Sequence, residues 1–86
     1  MDDETLKIYA FVSVSSYRSK TVKSLYKSDK TPTQISKDID IRVNHISNVL
    51  GDLKKLGVLI CINEEKRRDR IYQLTDLGRE IGSELN

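Results

Sequence analysis

Apolar residues recur at helical spacing along most of the chain. Between residues 43 and 56 they fall on one side of a helical projection, at Ile46, Val49, Leu50 and Leu53. Gly57 follows, and glycine is favoured just beyond the C-terminus of a helix. The pattern therefore predicts an amphipathic helix over 43–56 with one face in the core.

Two further helices are predicted before this one. The stretch "SSYRSKTVKSLYKSD" begins with serines that can cap a helix. Its apolar residues Val22, Leu25 and Tyr26 share one face, and the predicted helix ends near Lys27. In "DKTPTQISKDID", Thr31 is placed as the N-cap, Pro32 as the first helical residue and Gln34 as the partner in a capping box. This helix is short, because the following "DIDIR" is typical of a turn.

The first stretch, "DDETLKIYAFVSV", also has helical spacing. Its apolar residues fall on one face at Leu6, Tyr9 and Ala10 and off that face at Ile8, Phe11 and Val12. A helix that is apolar on more than one side needs cover from the domain or from a second chain. The alternation of apolar residues between 8 and 14 also fits a strand, and both interpretations stay open.

Two short runs, "VLICI" and "RIYQL", favour strands and predict a hairpin with the charged tip "NEEKRRD". Thr75 then caps a last helix whose apolar stripe is Leu77, Ile81 and Leu85, with Gly78 and Gly82 beside it to admit another backbone. The predicted fold is mostly α with a small β-hairpin (α+β), a winged helix-turn-helix. We divide the single domain, 1–86, into N-terminal helices 1–27, a helix-turn-helix 31–56, a wing hairpin 58–74 and a C-terminal helix 75–86.

Composition adds few constraints of its own. The one cysteine, Cys61, excludes a disulfide framework and is interpreted as a small buried hydrophobe. No apolar run approaches the ~20 residues of a membrane span, and the acidic start "MDDETLK" is not typical of a signal peptide. We therefore expect a cytoplasmic, nucleoid-associated protein that does not contact a membrane.

Signatures of catalysis and metal binding are missing from the sequence. His45 is the only histidine, there is no recognisable nucleophile motif, and no glycine-rich loop for phosphate occurs. One histidine and one cysteine do not make a zinc site without carboxylates that nothing here arranges. We expect no enzyme activity, no cofactor and no metal.

The exposed side of the helix over 43–56 is a narrow polar stripe. At about 100° per residue, four residues fall within about 60° of one another: Asn44, Asn48, Gly51 and Lys55. Asparagine both donates and accepts at a base edge, and adenine is its preferred partner. The alternative is a merely solvated helix face, because Asn and Lys are common on protein surfaces.

The residues around the stripe bear on nucleic-acid binding. His45 and Ser47 flank it, and Arg42 precedes the helix, where it can meet a phosphate. Asp52 is a contrary signal, since it would repel phosphate, and it lies toward the edge that carries His45. Gly51 has two interpretations: it lets the helix sit closer to DNA, or it is a tolerated defect that costs ~1 kcal/mol.

Positive charge is concentrated at the hairpin tip. The run "KRRDR" holds four cations and one anion, an arrangement that costs self-repulsion unless something anionic relieves it. Glu64 and Glu65 relieve part of it, so a salt-bridged loop is the alternative. Residues 42–70 hold seven Lys and Arg against four Asp and Glu, a net charge of +3, compared with +2 for the whole chain. This distribution is the footprint expected for a nucleic-acid partner.

Several motifs follow one another at regular spacing: "TPTQI" at 31–35, the pattern from Ile46 to Leu59, and "YQLT" at 72–75 with Gly78 after it. With "FVSVSSYRSKTVKSL" upstream, they resemble the winged helix-turn-helix regulators of the MarR/ArsR type, especially small archaeal members. Two departures matter. The wing tip has no glycine, so its conformation is not predicted, and the cysteine motif of the metal-sensing members is absent, so metal sensing is not supported.

The resemblance implies a transcriptional regulator that binds double-stranded DNA as a homodimer, with the helix at about 43–56 in the major groove and the wing, 63–70, on the backbone or minor groove. By position, the residues that would face DNA are Arg42, Asn44, His45, Ser47 and Asn48, with Lys66, Arg67, Arg68 and Arg70 in the wing. The polar stripe adds Lys55. No effector ligand can be assigned.

For the dimer we expect an interface built from the N-terminal helix, where Ile8, Phe11 and Val12 are spare, and the glycine-bearing C-terminal helix. A protein-interaction module without DNA sequence specificity is the main alternative, because the winged-helix fold does not settle function. An RNA partner is disfavoured, since the A-form major groove is too narrow for a helix to read.

Overall fold

Five helices and a two-stranded sheet make up the computed structural model, which describes residues 1–85. The elements, in chain order, are α1 Asp3–Ser13, α2 Ser16–Lys27, α3 Pro32–Ile39, α4 Val43–Lys55, β1 Leu59–Cys61, β2 Tyr72–Leu74 and α5 Asp76–Leu85. The predicted fold class, a winged helix-turn-helix with flanking terminal helices, is confirmed. The predicted last helix also included Asn86, which lies outside the described residues.

The first stretch is a helix and not a strand. The side chain of Asp2 caps it by accepting from the amide of Thr5 at 2.8 Å. The predicted inner face was wrong, because Leu6 and Ala10 are exposed. The face that packs inward consists of Thr5, Ile8, Tyr9 and Val12. That set has regular i, i+3, i+4, i+7 spacing, but a threonine at its first position hides the pattern from a count of apolar residues.

The helix-turn-helix begins at the predicted capping box. The amide of Gln34 donates to the hydroxyl of Thr31 at 3.2 Å, and the Thr31 amide donates to the side chain of Gln34 at 2.8 Å. The short helix α3 ends at Asp40, which has φ 56 and so lies in the left-handed region. Aspartate tolerates that region better than most residues, so the chain turns sharply there into α4.

The core lies under α4, as the spacing predicted. Its four apolar residues, Ile46, Val49, Leu50 and Leu53, are all buried. They join residues of α2, α3, the strands and α5 in one cluster. After α4 the chain passes through Gly57, whose φ of +78 requires glycine. It then enters the sheet at buried Val58 and Leu59. One face of α4 is thus fixed against the core and the other is left to solvent.

The sheet is the predicted antiparallel hairpin with one unpredicted addition. Strands β1 and β2 pair with Leu59 opposite Leu74 and Cys61 opposite Tyr72. On the far side of β2, Lys30 forms an isolated bridge with Tyr72 through two backbone hydrogen bonds of 2.8 and 3.2 Å. A single bridging residue has no periodicity, so no sequence pattern could have predicted it. The bridge joins the start of the helix-turn-helix to the base of the wing.

The glycines of α5 admit close neighbours from the same chain. A Cβ added to Gly78 would lie 2.0 Å from the carbonyl oxygen of Val58, and one added to Gly82 would lie 2.6 Å from the ring of Tyr26. The hydroxyl of Thr75 accepts from the Gly78 amide at 3.2 Å, so Thr75 caps α5 as predicted. None of the described helices is long and apolar enough to cross a membrane.

Candidate nucleic-acid interface

Helix α4 presents the predicted polar stripe to solvent. The stripe residues and their flanks are all exposed: Arg42, Asn44, His45, Ser47, Asn48, Gly51 and Lys55. Asp52 is exposed beside them. A Cβ added to Gly51 would meet nothing within 4 Å, so no contact inside the chain requires a glycine there. The surface available to a partner therefore presents amides, a hydroxyl, an imidazole and cations, together with the carboxylate of Asp52 and one position that lacks a side chain.

The Ser47 side of the stripe faces the wing. A shallow concavity of about 400 Å³ lies between α4, the start of α3 and the wing. Val43 and Ser47 line it from α4, and Arg67, Arg68 and Tyr72 line it from the hairpin. The Thr31–Thr33 end of α3 closes a third side. The fold thus brings two wing arginines, distant in sequence, to the edge of the stripe.

The His45 side of the stripe faces α2. The rings of His45 and Tyr17 are tilted at 57°, with centroids 5.4 Å apart. Tyr17 lies in the first turn of α2 and remains 42% exposed. Sequence reasoning did not include it in the site, because Tyr17 and His45 are joined only by the packing of two helices. The contact fixes where the beginning of α2 lies relative to the stripe.

The wing loop has no glycine, yet its backbone makes a turn of the kind that usually requires one. Asp69 has φ 56, a left-handed conformation that Asp and Asn tolerate. Asn63 holds the loop on both sides: its Oδ1 accepts from the amide of Ile71 at 2.7 Å, and its Nδ2 donates to the carbonyl of Asp69 at 3.2 Å. Sequence reasoning missed Asn63. An asparagine directly after a strand and before a charged loop was the signal that could have found it.

Arg70 is used inside the wing. Its guanidinium donates to the carbonyl of Lys66 at 2.7 Å and to the carbonyl of Glu64 at 3.1 Å. These bonds hold the two limbs of the loop together. The other wing cations, Lys66, Arg67 and Arg68, are exposed, and within residues 1–85 their side chains form no hydrogen bond or ion pair. The uncompensated positive charge of the wing is therefore at its tip.

An ion pair joins the wing to the end of α4. Lys54 pairs with Glu64, and the hydrogen bond from Lys54 holds the pKa of the Glu64 carboxyl below its ordinary value. The same bond raises the pKa of the Lys54 ammonium. Lys54 is thus compensated within the chain, whereas Lys55, its neighbour on the stripe, has no carboxylate within ion-pair distance among the described residues.

Metal-ligating residues do not converge in the part of the chain that the structure describes. No three His, Cys, Asp or Glu side chains there are arranged to hold a metal ion. Cys61 is half-buried rather than buried, and its thiol lies 3.5 Å from the side-chain oxygen of Asn63. The chemistry that this surface offers is hydrogen bonding and positive charge.

Known structures with a similar fold include winged-helix regulators of the MarR family. A MarR-family transcription regulator superposes with a TM-score of 0.77 at 20% identity, covering 90% of this chain and 52% of that one. The adhesin competence repressor of Streptococcus pyogenes gives 0.75 at 20% identity, covering 94% and 62%. The Staphylococcus aureus regulator MepR, in its complex with DNA, gives 0.72 at 19% identity, covering 95% and 67%.

These likenesses extend over nearly the whole of this chain and over about half to two thirds of the chains it matches. At such identities they establish the fold. Neither a protein-family model nor a curated protein sequence matches the chain. The MarR part of the predicted resemblance is therefore supported by structure, while the ArsR and archaeal parts stay predictions.

Proposed function

We propose that this protein is a sequence-specific transcriptional regulator of double-stranded DNA, with α4 in the major groove and the wing on the backbone or minor groove. The observation that carries the proposal is the placement of unpaired Arg67 and Arg68 beside the exposed polar stripe of α4. A helix fits the major groove, and cations next to it contact phosphates. MepR, a neighbour with the same fold, forms a complex with DNA, which supports DNA as the partner.

The proposed roles of the residues follow from where each one lies. Asn44 and Asn48 read base edges from the centre of the stripe. The flanking and stripe-end residues contact backbone or bases: Arg42, His45, Ser47 and Lys55. Lys66, Arg67 and Arg68 bind phosphates. Arg70 contributes charge but acts mainly by holding the wing loop, since its Nε and Nη2 already donate to backbone carbonyls of the loop.

The proposed active form is a homodimer joined through α1 and α5, with two recognition helices about 34 Å apart, one turn of DNA. Of the residues that motivated this choice, Val12 is fully buried in the core and Ile8 packs against it, so neither is spare. Phe11 is 37% exposed, and Leu6 and Val14 are more exposed still. The glycines of α5 contact their own chain and are not part of the argument.

Fluorescence anisotropy with a mixed-sequence DNA duplex, over a series of salt concentrations, tests DNA binding. We expect binding at low salt that weakens as salt rises, because released counterions drive the association. Arg67→Ala with Arg68→Ala should lower the slope of log K against log salt by about 1 unit for each phosphate that the variant no longer neutralises. A wild-type protein that does not bind duplex at low salt would favour the protein-interaction module instead.

Sequence specificity needs its own experiment. Selection from a random DNA library gives the preferred site, and Asn48→Ala should then cost about 1–3 kcal/mol on that site. The affinity of Asn48→Ala for random duplex should change little, so the ratio of its affinities for selected and random DNA should fall. An equal loss on selected and random DNA would show that Asn48 does not read bases. A regulator of this kind would act at the nucleoid, in the cytoplasm.

A further inference from the structure

Helix α2 carries a row of lysines that the proposed interface does not use. Lys20, Lys23 and Lys27 are exposed and follow the i, i+3, i+7 spacing of one helix face. They line a concavity together with Asp38, Ile39 and Asp40 at the end of α3. The row is therefore a surface shared by α2 and the turn of the helix-turn-helix.

The three lysines differ in their surroundings. Lys27 lies 4.0 Å from Asp38, whose carboxylate also accepts from the hydroxyl of Ser24 at 2.7 Å. Lys20 and Lys23 have no hydrogen bond and no ion pair with any of residues 1–85 through their side chains. Like charges one helical turn apart repel each other. Two adjacent cations of α2 thus form no ion pair among the described residues.

These two cations lie near the recognition helix, on the side away from the wing. Tyr17, one turn before Lys20, contacts His45 at the beginning of α4. Asp40, which shares the concavity with Lys20 and Lys23, also lines a surface with Arg42, directly before α4. The wing arginines approach α4 from the opposite edge, at Ser47. The start of α2 therefore lies at one edge of the polar stripe and the wing arginines lie at the other.

We infer that Lys20 and Lys23 bind phosphates of the same DNA duplex, on the flank of the recognition helix opposite the wing. The inference rests on the proposed function and extends its footprint from α4 and the wing to the outer face of α2. Phosphate is the appropriate partner because it supplies a row of anions next to the groove that α4 enters. Neither Asp38, which is engaged by Ser24 and Lys27, nor Asp40 in the same concavity lies within ion-pair distance of Lys20 or Lys23.

The experiment compares variants in the salt dependence of binding to a mixed-sequence DNA duplex. Lys20→Ala combined with Lys23→Ala should lower the slope by about 2 units and weaken binding to all sequences alike. Lys7→Ala is the matched control, since Lys7 is an exposed lysine on α1 without an ion pair among the described residues. It should leave the slope unchanged. Thermal unfolding of each variant should match the wild type, because the replaced ammonium groups are solvated in the folded chain.

The wing variant, Arg67→Ala with Arg68→Ala, separates the two proposals. If the wild type binds, the wing variant lowers the slope and the α2 variant does not, the role of Lys20 and Lys23 is overturned while the proposed function stands. If the wild type does not bind duplex at low salt, both are overturned. A slope that falls in both variants, but not in Lys7→Ala, establishes a footprint on both sides of α4.

Discussion

Glycine has opposite consequences at two positions of this small chain. At Gly78 a side chain would collide with the backbone carbonyl of Val58, so the packing of α5 on the sheet depends on its absence. At Gly51 the surroundings are open, and the helix would be more stable with almost any other residue. The interior of the fold therefore explains Gly78, while Gly51 is explained only by something outside the chain or not at all.

Gly51→Ala should raise the free energy of unfolding by about 0.5–1 kcal/mol, because alanine restricts the unfolded chain and favours the helix. Urea unfolding measures the change in the free energy of unfolding, and fluorescence anisotropy with duplex DNA measures the change in DNA affinity. Greater stability with weaker binding supports close approach of α4 to DNA. Greater stability with unchanged binding leaves the glycine a tolerated defect.

Gly78→Ala is the control for that experiment and should have the opposite sign. The new methyl group would force α5 away from Val58 and Leu74, at a cost of about 1–3 kcal/mol typical of overpacking. The same urea unfolding shows it as a lower midpoint. A Gly78→Ala protein as stable as the wild type would mean that α5 can shift at no cost, contrary to the tight contact described above.

At the scale of elements, the sequence predicted best those helices that have periodic apolar residues and capping residues at their ends. Helices α3 and α4 have clear boundaries because Thr31, Gln34 and Gly57 are residues with defined backbone roles. The predicted division of the faces of α1 was wrong because Thr5 occupies a core position. The bridge at Lys30 was not predicted because it involves a single residue. The wing was predicted as a charged loop, but its shape depends on Asn63, whose hydrogen-bond partners lie six and eight residues further on.

Asn63→Ala should loosen the wing without unfolding the domain. The Ile71 amide would lose its acceptor and the Asp69 carbonyl its donor, while the buried face of the hairpin would remain. Hydrogen exchange should become faster at Ile71 and stay slow in α4. Asn48→Ala, an exposed asparagine outside the wing, is the matched control. Unchanged exchange at Ile71 would assign the shape of the wing to Arg70 alone.

The contact between α2 and α3 should make stability depend on pH. The hydroxyl of Ser24 donates to Asp38 and holds the pKa of that carboxyl below its ordinary value of about 4. A carboxylate with a depressed pKa stabilises the fold above its ordinary pKa, and this contribution is lost as pH falls through the depressed value. Asp38→Asn should therefore be less stable than the wild type at neutral pH.

The difference between Asp38→Asn and the wild type should shrink as pH falls below about 4, where the wild-type carboxyl becomes protonated as well. Urea unfolding at several pH values measures it. Glu65→Gln, at an exposed wing carboxylate with no side-chain hydrogen bond in the described chain, provides the comparison. A gap that stays constant down to the lowest pH would show that Asp38 acts through shape and not through charge.

At the scale of the molecule, exposed apolar residues occur both near α4 and the wing, at Val43 and Ile62, and on α1, at Leu6 and Phe11. Arg67 and Arg68 of the wing line the concavity beside α4, whereas Leu6 lies with Met1, Tyr9 and Glu84 in a groove between α1 and α5. Leu6 is 54% exposed, and Phe11 on the same helix is 37% exposed. The proposed dimer, joined at the groove between α1 and α5, would leave the exposed face of α4 free. The sequence indicated the charged side through composition, but for the apolar side it named Ile8 and Val12 as spare, and both pack in or against the core while Leu6 is exposed.

Leu6→Lys should shift the protein toward monomer in sedimentation equilibrium, because a charge would enter the proposed interface. Its effect on the unfolding of the monomer should be small, since the side chain is already largely in water. Ile60→Lys, at a residue of the sheet that is 44% exposed, is the matched control and should leave the mass unchanged. A wild-type protein that is monomeric throughout would remove α1 and α5 as a dimer interface.

The close contact of Gly78 with Val58 also links two distant parts of the molecule. The Val58 carbonyl accepts from the amide of Thr75 at 3.1 Å, and the Thr75 hydroxyl donates to the carbonyl of Gly57 at 2.6 Å. The peptides from which the wing begins are thereby fastened to the first turn of α5. In a dimer joined through α5, this attachment of the wing to α5 would set the distance between the two wings. A rearrangement of such a dimer would change the spacing along DNA between the sites that its two wings can contact.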